Sequence, residues 1–296
     1  MVHRAAPSMS FGDECRQDGF SYALAIGVQA IGLDSCHPMI RALMSSFQPK
    51  KGHLPGPAMP EGSRIYAVGD IHGRADLLDR LLEMIGRDCS VRSESKVTLI
   101  FLGDYINRGA ESAKVITRLA ALMDSPVHAR FLMGNHEEIL LRLLDGDDDL
   151  WSFFLRMGGD ATLASYGLGI ATVEGDPRGV VPALKDAIPS RHVAFLESLE
   201  DMIVIGDYAF VHAGVQPALS LDRQSPSALR WIRGEFLDHE QPLEKIIVHG
   251  HTISEDVVET PARIGIDTGA YMSNRLTAVA FEDKRRWIIQ AESSET

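Results

Sequence analysis

Gly103-Asp104-Tyr105-Ile106-Asn107-Arg108-Gly109 is the stretch of sequence on which the fold depends. Residues 97–102 precede it as an apolar run with β-branched members, and the run ends at Gly103, which predicts a buried strand. Open α/β sheets bind ligands beyond the carboxyl ends of their strands. Asp104 therefore stands where a ligand-binding carboxylate is expected. We interpret it as the bridge between two metal ions.

Two further loops repeat this arrangement. Gly69-Asp70-Ile71-His72-Gly73 follows the apolar run 65–68, and Gly134-Asn135-His136-Glu137 follows the run 131–133. After each of the three loops, leucine, isoleucine or valine recurs at helical spacing, which predicts a helix. The resulting alternation of strands and helices implies parallel strands joined by right-handed crossovers. The predicted fold class is therefore α/β.

The part of the chain after residue 200 is rich in predicted strands. Gly206-Asp207 has the composition of a hairpin turn between the apolar runs 202–205 and 208–211. Two histidine motifs, His212-Ala213-Gly214 and His249-Gly250-His251-Thr252, stand at the ends of predicted strands in this part. Their histidines can close a site that begins in the amino-terminal half of the chain.

The sequence divides into an extension and a domain. Residues 1–60 are an amino-terminal extension whose end, from residue 48, is a proline- and glycine-rich linker. Residues 61–296 form the domain, and residues 150–200 interrupt its alternating pattern as a mostly helical insertion. This insertion either covers the core or shapes the substrate cleft, and we expect both.

Composition limits the function classes. The chain has 296 residues, 45% of them hydrophobic, which is ordinary for a soluble protein with a sizeable core. A net charge of −12 argues against a broad surface for nucleic acid or for anionic membranes. Three widely spaced cysteines give neither a zinc pattern nor a disulfide framework, so we predict a reducing, cytoplasmic location. The apolar run 20–33 follows acidic residues, which is unlike a secretion signal.

Six residues at these strand ends form a candidate set of metal ligands. Carboxylate, amide oxygen and imidazole suit Mn²⁺, Fe or Zn²⁺ better than thiophilic ions. Each residue alone has an ordinary structural explanation, but their recurrence in glycine-framed loops favours a site for two divalent metal ions, most simply Mn²⁺. The six are Asp70, His72, Asp104, Asn135, His212 and His251.

In their order, these motifs resemble the signature of the PPP-type serine/threonine protein phosphatases, which belong to the calcineurin-like metallophosphoesterases. The resemblance runs from about Arg64 to about Ile289. It implies an αββα sandwich, in which two mixed β-sheets are flanked by helices, with a two-metal site at the strand ends. It also implies that Asp70 and His72 bind the first ion and that Asp104 bridges. The second ion would be bound by Asn135, His212 and His251.

The same resemblance implies roles for further residues. His136 would be the general acid that protonates the leaving oxygen, and Arg108 would bind phosphate oxygens. Arg233 would be a second phosphate-binding arginine, with Arg230 as its rival. Tyr271 would line the cleft and contact substrate.

The sequence departs from the family pattern at two positions. Met133 stands where many eukaryotic members have a phosphate-binding arginine, so the resemblance does not determine the shape of the substrate pocket. Asn107 stands where the family has an aspartate that orients and charges the general acid. An amide can still accept a hydrogen bond from the histidine ring, but it lacks the charge.

These features lead to three functional hypotheses. The first is a two-metal phosphomonoesterase acting on phosphorylated proteins, at phosphoserine or phosphothreonine, with phosphotyrosine as the alternative. The second is a dinucleoside polyphosphate hydrolase. The third is a metal-bound phosphopeptide-binding protein with little turnover, motivated by Asn107. Turnover with and without Mn²⁺ separates the third hypothesis from the others. Phosphorylated protein or peptide is the predicted partner.

Overall fold

The computed structural model describes residues 56–169 and 177–293. The predicted extension, 1–60, lies almost wholly outside the described residues, as does the apolar run 20–33, and both assignments stay predictions. The described end of that stretch contacts the domain. The backbone N–H groups of Ala58 and Met59 donate to Asp207 Oδ2 and to the carbonyl of Asp283, at 3.0 and 2.7 Å. Packing therefore reaches back to Met59, whose side chain is buried.

The described residues form ten strands and ten α-helices. The strands are β1 (Ser63–Val68), β2 (Lys96–Phe101), β3 (Ala129–Phe131), β4 (Met202–Ile205), β5 (Tyr208–Val211), β6 (Ile246–His249), β7 (Val258–Glu259), β8 (Arg263–Gly265), β9 (Arg275–Glu282) and β10 (Arg285–Glu292). The helices are α1 (Ala75–Ser90), α2 (Ser112–Met123), α3 (Asn135–Leu144), α4 (Trp151–Arg156), α5 (Gly159–Ser165), α6 (Pro177–Ala187), α7 (Ser190–Glu197), α8 (Pro226–Trp231), α9 (Gly234–Leu237) and α10 (Ala270–Ser273).

The strands form two mixed sheets of five. The first has the order β10-β9-β1-β2-β3, with β1, β2 and β3 parallel and with β9 antiparallel to both of its neighbours. The second has the order β4-β5-β6-β8-β7, with β5, β6 and β8 parallel. The predicted hairpin is confirmed, because β4 and β5 pair antiparallel across Gly206-Asp207.

The two sheets pack face to face between helices. Along β1, Ile65 and Ala67 lie in the apolar core between the sheets, whereas Tyr66 and Val68 lie in the core shared with α1, α2 and α3. This alternation follows from the two-residue period of a strand, and burial on both faces explains the continuous apolar runs. A third cluster joins Leu229 and Phe236, from α8 and α9, to the outer face of the second sheet. The αββα sandwich is thus confirmed.

The region predicted as a helical insertion contains α4 to α7. Trp151, Phe154 and Leu163 pack into the same core as α2 and α3, so this region covers the first sheet's helical layer. It also contacts the central loop, since the carbonyl of Gly158 accepts a hydrogen bond from the backbone N–H of Arg108 at 3.0 Å. Within the described residues, no helix is long and apolar enough to span a membrane.

A buried ion pair fastens β1 to β9. Arg64 and Glu282 face each other across the two strands, with Arg64 Nη2 2.5 Å and Nε 2.9 Å from Glu282 Oε1. Burial alone would raise the pKa of Glu282, but hydrogen bonds from Arg64 and Ser95 and the charge of Arg64 hold it below its ordinary value.

Glu282→Gln should lower the free energy of unfolding at pH 7 by about 2 kcal/mol, since a charge-assisted hydrogen bond is lost. Because the folded-state pKa is lowered, this stabilisation is complete above the unfolded pKa of about 4.3 and is lost as pH falls through the folded value. Urea unfolding at pH 7 and near pH 3 checks this, with the exposed Glu244→Gln as control. A difference between variant and wild type that is equally large at both pH values would contradict it.

Candidate metal centre

All six predicted ligands meet at one edge of the sandwich. They follow β1, β2, β3, β5 and β6 at the carboxyl ends of parallel strands, and each is at least 93% buried. The loops are bent tightly, and five of the seven non-glycine residues with positive φ in the described part of the chain lie there. These five are His72, Asp104, Asn107, Arg108 and His251. Such backbone strain concentrates where function fixes geometry.

Two backbone carbonyls fix the tautomers of His72 and His212. Nδ1 of His72 lies 2.8 Å from the carbonyl of Ile106, and Nδ1 of His212 lies 2.8 Å from the carbonyl of Leu102. A carbonyl only accepts, so each Nδ1 carries the proton and each Nε2 presents a lone pair. Burial lowers the pKa of His72 to about 3 and that of His212 to about 4, so both rings are neutral near pH 7.

Asp104 lies between these two histidines. Its Oδ2 is 3.5 Å from His72 Nε2, and its Oδ1 is 3.4 Å from His212 Nε2. Burial raises the pKa of Asp104 to about 7, a cost that a divalent cation offsets. One carboxylate thus faces two different lone pairs with two different oxygens, which is the arrangement that the bridging hypothesis requires.

The second half of the site is equally rich in acceptors. His212 Nε2 lies 3.0 Å from Asn135 Oδ1 and 3.1 Å from His251 Nδ1. The Nε2 of His212 and the amide oxygen of Asn135 are both acceptors, so their approach is unfavourable unless a cation binds both. Burial lowers the pKa of His251 to about 2, and among the described residues no partner binds its buried Nε2.

Asp70 is held at the edge of this cluster by the backbone of the last loop. The N–H of His251 donates to Asp70 Oδ2 at 3.0 Å. Position 250 accommodates only glycine, because a Cβ there would collide with Asp70 Oδ1. Burial, with the negative charges of Asp267 and Asp104, raises the pKa of Asp70 well above its ordinary value, which again favours a neighbouring cation.

The donor chemistry fits two divalent ions. Two groups have ligand atoms within 4.8 Å of one another, namely His72, Asp104 and His136, and Asp104, His212 and His251, so Asp104 belongs to both. Neutral imidazoles and carboxylates are ligands for Mn²⁺, Fe and Zn²⁺, and this set does not choose among them. His249 does not compete with His251. Its Nδ1 lies 3.0 Å from the carbonyl of Gly250, and its ring packs on Phe236.

The amide of Asn107 holds His136. Asn107 Nδ2 lies 2.8 Å from His136 Nδ1, and Asn107 Oδ1 accepts from the hydroxyl of Thr162 at 2.6 Å. An amide nitrogen only donates, so Nδ1 of the ring accepts and the ring proton lies on Nε2. The sequence left open which way this hydrogen bond runs; here the amide oxygen faces the hydroxyl of Thr162, from α5, and the amide nitrogen faces the ring. Burial also lowers the pKa of His136 well below its ordinary value.

Arg108 and Arg233 reach solvent beside the predicted ligands. Arg108 Nη1 lies 3.0 Å from His72 Nε2, and its guanidinium lies 4.7 Å from the ring centre of Tyr271. Tyr271 in turn packs edge-on against His72, with ring centres 5.5 Å apart. Tyr271 thus lies beside a predicted ligand, and its contact with substrate stays a prediction.

Arg230 and Arg233 differ in their partners. Arg230 is paired with Asp201 at 2.6 Å and with Glu138 at 3.5 Å, so its charge is engaged away from the ligands. Arg233 is exposed and contacts the hydroxyl of Thr252, the residue after His251, at 3.2 Å. Of the two, Arg233 therefore stays the predicted phosphate-binding arginine.

Sequence reasoning missed the role of Glu137. Its Oε2 accepts from the N–H groups of Asp104 and Gly134, at 2.9 and 3.1 Å, and its Oε1 accepts from those of Tyr105 and Ile106, at 2.8 and 3.2 Å. The side chain is completely buried. Glu137 thus holds the bridging loop in place. Its position after Asn135-His136 was a signal of importance, but three of its four partners lie more than thirty residues earlier in the chain.

A family model described as calcineurin-like phosphoesterase matches residues 63–270, and the chain belongs to this family. The asymmetrical bis(5′-nucleosyl)-tetraphosphatase PrpE of Bacillus velezensis is 26% identical over 77% of this chain and 92% of that protein. The enzyme of the same name from Oceanobacillus iheyensis is 25% identical over 75% of this chain and 90% of its own length. A symmetrical bis(5′-nucleosyl)-tetraphosphatase from Acidovorax ebreus is 47% identical, over only 26% of this chain and 25% of that protein.

Solved structures support the fold. A crystal structure of a candidate diadenosine tetraphosphatase covers 81% of this chain and all of that chain, with a TM-score of 0.54 and 22% identity. A point mutant of a cold-active protein tyrosine phosphatase covers 79% of this chain and 83% of that chain, with a TM-score of 0.50 and 17% identity. At these identities the likeness concerns the fold.

Proposed function

We propose that the chain is a two-metal hydrolase of dinucleoside polyphosphates. The observation that carries the chemistry is Asp104, whose two oxygens face the lone pairs of His72 and His212. The substrate class is supported by the tetraphosphatases that align with three quarters of the chain. The sequence analysis placed phosphorylated proteins first and dinucleoside polyphosphates second, and these relatives favour the second.

In this proposal the ligands are divided as the family resemblance implies. Asp70, His72 and Asp104 would hold one ion, and Asp104, Asn135, His212 and His251 would hold the other. When bound, the ions act as Lewis acids on phosphoryl oxygens and make water a nucleophile near neutral pH.

Of the remaining residues, three contact the substrate and two position other groups. Arg108 and Arg233 bind phosphate oxygens, a task for which the planar guanidinium is suited. His136 presents its Nε2–H to the leaving oxygen as a hydrogen-bond donor, and Asn107 keeps the ring in that tautomer and orientation. Glu137 keeps the bridging loop rigid.

Asn107 gives a second, independent reason to favour the polyphosphate. A histidine whose partner is a neutral amide is a weaker acid catalyst than one stabilised as a cation by a carboxylate. A serine alkoxide is strongly basic and needs protonation as it leaves. A nucleotide phosphate is a weakly basic leaving group and needs little. The Asn107–His136 pair therefore suits cleavage of a phosphoanhydride.

Asn107→Asp should raise kcat on a phosphoserine peptide by about tenfold, because general acid catalysis contributes about 10²–10⁴-fold and a carboxylate would restore part of it. On diadenosine tetraphosphate kcat should change little. Initial rates on both substrates at saturating Mn²⁺ check this, and Gln241→Glu, at an exposed position outside the ligand loops, controls for added charge. Equal gains on the two substrates, or no gain on the peptide, would refute the proposal that Asn107 suits the enzyme to weakly basic leaving groups.

A direct test of the substrate class compares three compounds. Wild-type protein is assayed on diadenosine tetraphosphate, a phosphoserine peptide and an aryl phosphate, with Mn²⁺ and after chelation. We expect metal-dependent cleavage with the highest kcat/KM on the dinucleotide. A higher value on the peptide would restore the phosphoprotein hypothesis, and binding of the peptide without turnover of any compound would favour the phosphopeptide-binding protein.

A further inference from the structure

An exposed apolar pair lies beside the metal centre. Ile253 is 40% exposed and Met272 is 65% exposed. Their side chains converge over Gly269, where a Cβ would lie 3.1 Å from Ile253 Cγ2 and 3.3 Å from Met272 Cγ. Exposed apolar side chains that cluster next to polar groups mark a binding surface more often than scattered ones do.

The turn that carries Met272 is held firmly. Gly269 has φ of +68°, a conformation that side chains rarely adopt. Arg74, from the loop after Asp70 and His72, donates to the carbonyl of Ala270 at 3.0 Å and to Asn274 Oδ1 at 2.6 Å. The turn that carries Met272 is therefore fixed relative to the first ligand loop, so binding to this side of the pair requires little ordering.

The apolar pair is continuous with the phosphate-binding groups. Met272 follows Tyr271, whose ring lies against His72 and under the guanidinium of Arg108. Ile253 follows Thr252, which contacts Arg233. The surface thus passes from buried ligands to arginines and tyrosine and then to exposed aliphatic side chains. A molecule with phosphates at one end and a flat apolar group at the other matches this sequence of surfaces.

We propose that Ile253 and Met272 form a platform for one nucleobase of the substrate. This inference rests on the proposed function, and it names a specificity determinant within it. The two side chains pack against the face of the base while the arginines bind the adjoining phosphates. They act on affinity for the nucleoside and not on the cleavage step.

The test uses the double variant Ile253→Ser/Met272→Ser in the full chain loaded with Mn²⁺. Calorimetry measures binding of adenosine 5′-(β,γ-imido)triphosphate and of inorganic tripolyphosphate, which lacks the base. We expect about tenfold weaker nucleotide binding, equivalent to about 1.4 kcal/mol, from loss of apolar contact. Tripolyphosphate binding should be unchanged. Ile288, which is 50% exposed on β10, provides the matched control. Ile288→Ser should alter the binding of neither nucleotide nor tripolyphosphate. Ile253→Val/Met272→Leu should retain most of the affinity.

The outcomes separate the two proposals. In a parallel assay, KM for diadenosine tetraphosphate should rise about tenfold in the serine variant while kcat stays near the wild-type value. Unchanged nucleotide binding, or equal losses for nucleotide and tripolyphosphate, would overturn the platform. If wild-type protein does not cleave the dinucleotide, the proposed function fails. The platform still stands if wild type binds nucleotide more tightly than tripolyphosphate and the serine variant has lost that preference.

Discussion

Asp104→Asn is expected to lower metal-dependent hydrolysis by about 10³-fold, a loss typical of removing a group that stabilises developing charge. The carboxylate offers one oxygen toward His72 and another toward His212. An amide offers a single neutral oxygen, so the binding of both ions is weakened. Burial already disfavours the charged carboxylate, so the metal-free variant should melt no lower than metal-free wild type.

Three measurements on one preparation check this expectation: kcat on diadenosine tetraphosphate, metal content by mass spectrometry, and thermal melting after chelation. Asp145→Asn, in the exposed turn after α3, is the matched control and should leave all three unchanged. An Asp104 variant that binds two ions and turns over at a near-normal rate would refute the bridging assignment.

Glu137→Gln is expected to reduce both stability and activity. The carboxylate accepts four backbone N–H groups, two of them from Asp104 and Tyr105. A glutamine keeps one oxygen and turns an NH₂ group toward N–H donors, which leaves buried donors unpaired. We expect a loss of about 3 kcal/mol in unfolding free energy. Displacement of the bridging loop should lower kcat by about 10²-fold.

Glu138→Gln is the matched control for this prediction. Glu138 is the next residue of α3, and its carboxylate binds Trp231 Nε1 at 2.9 Å without touching the bridging loop. The control should lose much less activity than the Glu137 variant. Equal effects of the two substitutions, in urea unfolding and in kcat, would show that Glu137 has no special part in holding the loop.

Strand ends could be predicted from the sequence because their signals are local. The apolar run before Gly103 and the alternating strands and helices determine where Asp104 must lie in an α/β sandwich. Asp70, His72 and Asn135 follow from the same logic. Their meeting with His212 and His251 was inferred from the histidine motifs at other predicted strand ends and supported by the family resemblance, because no local signal pairs residues so distant in sequence.

What escaped prediction depends on tertiary contacts. The direction of the Asn107–His136 hydrogen bond is decided by Thr162, which comes from the helical insertion. The choice between Arg230 and Arg233 depends on Asp201 and Glu138, which bind Arg230. Such partners are joined by the fold, and composition and periodicity do not identify them.

Titration of metal-free wild-type protein with Mn²⁺ tests the central claim most directly. The rate of diadenosine tetraphosphate cleavage is followed against ions bound per chain, with a phosphoserine peptide assayed at every point. We expect no cleavage without metal, a full rate only when two ions are bound, and preference for the dinucleotide throughout. Cleavage that persists without metal, a full rate with a single ion, or preference for the phosphopeptide would contradict it.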